Sequence, residues 1–109
     1  MPLTGACAQA FDNCRSDFLD IAIQSGEIAI ALFGKGLFKH EHIAEINNQV
    51  VPTAKMLHLL ELYRALAVNL VDLQEVLREK GQPGLADKLE RERQASYSTA
   101  YGSAGLYWC

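Results

Sequence analysis

The sequence predicts an all-α domain, and three observations carry that reading. Apolar residues recur at helical spacing through most of the chain, and Gly and Pro fall between those stretches. No segment alternates apolar and polar residues beside hairpin turn chemistry. Residues 1–10 are small and largely uncharged and read as a flexible leader. From Phe11 an apolar stripe of Phe11, Cys14, Phe18, Leu19 and Ile21 opposes Asp12, Arg15, Asp17 and Asp20, which predicts a first helix. Ser25-Gly26 is expected to kink or split it before Ile28, Ile30, Leu32 and Phe33 resume the pattern. Gly34-Lys-Gly36 should end it.

A short helix is predicted from about His40 to Asn48. Ile43 and Ile46 face inward, Glu41 and Glu45 lie one turn apart on the outside, and Lys39 sits at the N-cap. Pro52 suits the first turn of the next helix, whose Met56, Leu57, Leu59, Leu60, Leu62 and Tyr63 are too broadly apolar for a solvated element and mark the centre of the domain. The spacing of Leu66, Leu70, Leu73 and Leu77 predicts one amphipathic helix. Gly81-Gln-Pro-Gly84 stops it, and a last helix carries Leu85 and Leu89 into Glu90-Arg-Glu-Arg93. Residues 94–109 hold no charged side chain and are expected to form a flexible tail. The domain is therefore placed at residues 11–93, as five or six short helices with short connections.

The chain has 109 residues and ten Lys+Arg against thirteen Asp+Glu, a formal net charge of −3. That length suits one domain. The acid excess and a pI near 5.5 argue against a nucleic-acid binder, which needs a basic face to displace counterions. No apolar run is long enough for a membrane span. Three cysteines, Cys7, Cys14 and Cys109, are not the dense even set of a secreted scaffold. They are expected as free thiols in a cytoplasmic protein, with Cys14 as a small core residue.

No pattern for catalysis or metal binding is visible. His40 and His42 are two apart, so on a helix they diverge and cannot share a zinc ion. Gly34-Lys-Gly36 lacks the spacing of a phosphate loop. The expectation is no enzyme, no cofactor, and no catalytic or metal residues.

Two stretches resemble a known family. Residues 36–49 (GLFKHEHIAEINNQ) are similar to the end of the first helix, the turn and the second helix of a caspase-recruitment domain (CARD). Residues 73–89 (LQEVLREKGQPGLADKL) resemble its fifth helix, Gly-Gln turn and sixth helix, and Leu59-Leu60 with Leu62 its apolar fourth helix. The resemblance implies the death fold: a six-helix antiparallel Greek-key bundle with the first helix kinked or split. It implies a protein–protein interaction module that binds other CARDs homotypically in apoptotic or inflammatory signalling. The partner would be a caspase, adaptor or sensor, and self-assembly into an oligomer or filament would be possible. In such domains an acidic surface meets a basic one. Carried over by position, Glu41 and Glu45 would supply the acids, and Arg64 and Arg15 the bases. The alternative is a small helical regulator or enzyme with an unrecognised ligand site, using Cys14 or His58.

Overall fold

A computed structural model describes Leu3 and residues 5–101, with side chains as far as residue 95. The described residues are mostly helical and contain no strand. Seven α-helices follow one another: α1 (Gly5–Asn13), α2 (Arg15–Asp20), α3 (Ser25–Gly34), α4 (His40–Asn47), α5 (Pro52–Leu66), α6 (Val71–Glu79) and α7 (Pro83–Tyr101). A 3₁₀ turn over Ala22–Gln24 links α2 to α3.

The start of the chain differs from expectation. Helix begins at Gly5, and Leu3, Ala6, Cys7, Ala8, Ala10 and Phe11 are buried, so the stretch expected as a flexible leader is part of the core. Small side chains hid this, because alanines carry a weak hydrophobic signal yet let α1 lie closely against α7. The first helix is split, as expected, but at Cys14 and Ile21, while Ser25-Gly26 opens α3. Phe11, Phe18 and Tyr63 form an aromatic cluster with centroids 5.8 and 5.6 Å apart, joining α1 and α2 to α5.

Both glycine stops behave as read. Gly36 and Gly81 adopt φ of +86° and +80°. After α3, the Leu37 and Gly36 amides donate to the Leu32 and Phe33 carbonyls, and after α6 the Gln82 and Gly81 amides donate to Leu77 and Arg78. This is the paired closure of a Schellman end, whose left-handed residue favours glycine.

The leucine stripe is not one helix. Leu66 ends α5, Ala67 turns extended, and only Leu73 and Leu77 lie within α6, with Leu70 at its N-cap. Tyr63 bridges the break: its hydroxyl donates to the Asn69 carbonyl at 2.8 Å and accepts the Leu73 amide at 3.3 Å. Asn69 Oδ1 accepts the Val71 amide and helps start α6. α5 is continuous over Pro52–Leu66, where the family resemblance implies two helices. It packs on α2, α3 and α4, with Met56, Leu59, Leu60 and Tyr63 fully buried. α7 runs through Tyr101, so the first part of the expected tail is helical; residues 102–109 lie outside the described residues.

Candidate interaction surface

The acidic pair stands on α4. Lys39 is its N-cap, in extended geometry and with no hydrogen bond from its side chain into the first turn. The reciprocal contact comes from His42, whose Nδ1 accepts the Lys39 amide at 3.0 Å. Glu41 follows in the first turn, where a carboxylate complements the positive end of the helix dipole. Glu41 and Glu45 are both exposed and make no ion pair among the described residues. Glu41 borders an open hollow of about 490 Å³ with Phe33, Phe38, Lys39 and His40, the Phe33 and His40 rings 4.7 Å apart.

The basic pair comes together elsewhere. Arg15 at the start of α2 and Arg64 in the last turn of α5 line one shallow hollow of about 290 Å³ with Glu61 and Ala65. Their charges are not equally available. Arg64 forms a two-pronged contact with Asp12 of α1, Nε to Oδ1 at 3.1 Å and Nη2 to Oδ2 at 3.0 Å. Those bonds hold the guanidinium above its ordinary pKa. The Leu3 amide also donates to the Arg64 carbonyl at 2.9 Å. Arg15 makes no ion pair among the described residues, so it is the more available cation.

Asp12 is the residue that sequence reasoning missed. It read as one more solvated acid, and its partner lies 52 positions away, beyond any local pattern. Other charges tie helices together: part-buried Lys88–Asp17 at 2.6 Å joins α7 to α2, and Lys35–Glu75 at 2.7 Å joins the end of α3 to α6. Glu90 is a junction on α7. Its carboxylate accepts Arg93, Gln94 and Gln74, and Arg93 chiefly holds its pKa down at about 2.

The alternative reading names Cys14 and His58. Cys14 is fully buried, and burial pushes its thiol up to about 11, so it holds almost no thiolate at neutral pH. His58 Nε2 is buried without a hydrogen-bond partner among the described residues. The expectation of free thiols holds for Cys14 but not for Cys7, which is disulfide-bonded. Among the described residues no three His, Cys, Asp or Glu cluster as a metal site, and no helix is long and apolar enough to cross a membrane. No known family, curated protein or solved structure matches the chain.

Proposed function

We propose that the chain is a protein–protein interaction domain of the caspase-recruitment kind, binding like domains through opposite charges and serving as a cytoplasmic signalling adaptor or recruiter. In this reading the helices form a Greek-key death fold, with α1 to α3 as a split first element and α5 standing for the third and fourth helices. The observation that carries it is the separation of charge: unpaired Glu41 and Glu45 on α4, and Arg15 beside Arg64 in a hollow between α2 and α5. An acidic site of one copy facing Arg15 at the hollow of another is a head-to-tail contact, which closes into a ring or continues as a filament. Such charges steer encounter and set register. In a reducing cytoplasm Cys7 would stand as a thiol. The reading therefore requires that the fold survive reduction of the Cys7 disulfide.

Sedimentation velocity across a concentration series tests the proposal. Self-association should weaken with salt, and Glu45→Lys should abolish it with little change in melting temperature, because the position is exposed. Association that ignores both salt and Glu45→Lys overturns the reading.

A further inference from the structure

Glu41 and Glu45 offer two acids, but the hollow that would receive them has only Arg15 unpaired among the described residues. Arg64 already holds a carboxylate of its own chain. Asp12 takes its Nε and Nη2 donors at 3.1 and 3.0 Å. Buried packing brings the pair together: Phe11 and Tyr63, their neighbours in sequence, stack at 5.6 Å between α1 and α5. The Leu3 amide fixes the same edge again through the Arg64 carbonyl, at 2.9 Å. The ion pair itself adds little to the fold. Its Arg64 and Asp12 side chains are 40% and 44% exposed, and water and salt screen such pairs. α1 is anchored without it, by Cys7, Ala10 and Phe11 in the core.

We infer that Asp12 is an internal stand-in for a partner's carboxylate: it occupies Arg64 in the free chain and yields it to an acid of a second copy. This rests on the charge reading, in which Glu41 and Glu45 supply that acid and Arg15 meets it first. The two-pronged contact shows the ligand chemistry that Arg64 takes, a planar carboxylate matched to two parallel donors. Exposure makes the exchange feasible. Asp12 and Arg64 both reach water, so Asp12 can turn outward without leaving a buried charge behind. A buried pair would strand one, at a large penalty. Exchange trades one carboxylate for another, so what opposes it is repulsion between the two acids as the second arrives. The consequence is restraint. With Asp12 in place a chain receives its partner through Arg15 alone, and self-association is held below what both arginines would support.

Sedimentation velocity at physiological salt separates this exchange from a general change of field. Asp12→Ala should tighten self-association about three- to tenfold, with a melting temperature within a few degrees of wild type. Glu61→Ala removes the same charge from the same hollow, but Glu61 holds no guanidinium among the described residues. It should therefore tighten association less than about twofold, through the screened field alone. Combining Asp12→Ala with Arg64→Gln should lose the whole gain, because the freed guanidinium produces it. Equal tightening by Asp12→Ala and Glu61→Ala, or a gain that survives Arg64→Gln, overturns the inference. Association unchanged by Asp12→Ala but abolished by Glu45→Lys overturns it as well and leaves the charge reading standing. Association indifferent to Glu45→Lys overturns both.

Discussion

Removing the hydroxyl of Tyr63 tests the joint on which α5 and α6 depend. The side chain is fully buried, and its single oxygen closes two bonds across residues 67–70. Tyr63→Phe keeps the ring stacked on Phe11 and deletes only that oxygen. The two groups left behind differ in what they lose. Leu73 is fully buried, and its amide lies in the first turn of α6, where no carbonyl of its own helix takes it up. Leaving it unsatisfied costs about 1–3 kcal/mol. The Asn69 carbonyl belongs to an exposed residue and can turn to water, adding about 0.5 kcal/mol or less. The expected loss is about 1–3.5 kcal/mol, read from urea melts with an unchanged slope. Amide exchange at Leu73 should accelerate in step. Alkali gives a second readout. Burial holds the Tyr63 phenol well above its usual value. Its contribution is therefore complete below the unfolded pKa of about 10 and declines as pH rises beyond it. The Phe variant should lack that decline. A loss under about 0.5 kcal/mol, with Leu73 exchange unchanged, would mean the hydroxyl does not hold the joint.

Three further outcomes follow from the same geometry. Leu73→Ala should cost about 2–5 kcal/mol in denaturant melts, the range for a core truncation, since the side chain is wholly buried; a loss below about 1 kcal/mol would refute its placement. Lys39→Thr should raise stability by about 0.5–1.5 kcal/mol, because the N-cap already has extended geometry and its lysine offers no acceptor to the first turn; an unchanged melting temperature would show the cap is satisfied otherwise. Glu90 has a folded pKa lowered to about 2, so its stabilisation is present above the unfolded value near 4.3 and is lost as pH falls toward 2. Exposure holds the effect to about 1 kcal/mol, and thermal melts of Glu90→Gln should be flatter than wild type between pH 5 and 2.

What was legible in the sequence followed from local chemistry. Gly36 and Gly81 marked two helix ends because only glycine takes the left-handed residue cheaply, and Pro52 marked a start because its missing amide is free at N1. Lys39 and the acids after it could be placed by counting from that turn. The misses share a different cause. α1 is built from alanines whose burial depends on α7, some 80 residues on, and local hydrophobicity cannot see that. The Leu66–Leu77 spacing looked helical because leucine positions alone do not reveal that Ala67 to Leu70 leave the helix and are rejoined through Tyr63. Of the candidate surface, exposure of Glu41 and Glu45 was readable, and the capture of Arg64 by Asp12 was not.

The charge reading is tested most directly by exchanging charge between its two sites. Glu45→Lys and Arg15→Glu each remove one sign, and Arg15→Glu leaves the Asp12–Arg64 contact in place. The measurement is light scattering of each variant alone and of their equimolar mixture, at physiological salt. The account predicts that neither variant assembles alone, that both melt within a few degrees of wild type, and that the mixture regains association because each supplies one intact surface. Full assembly by either variant alone, or a mixture as inert as its parts while both remain folded, would contradict it.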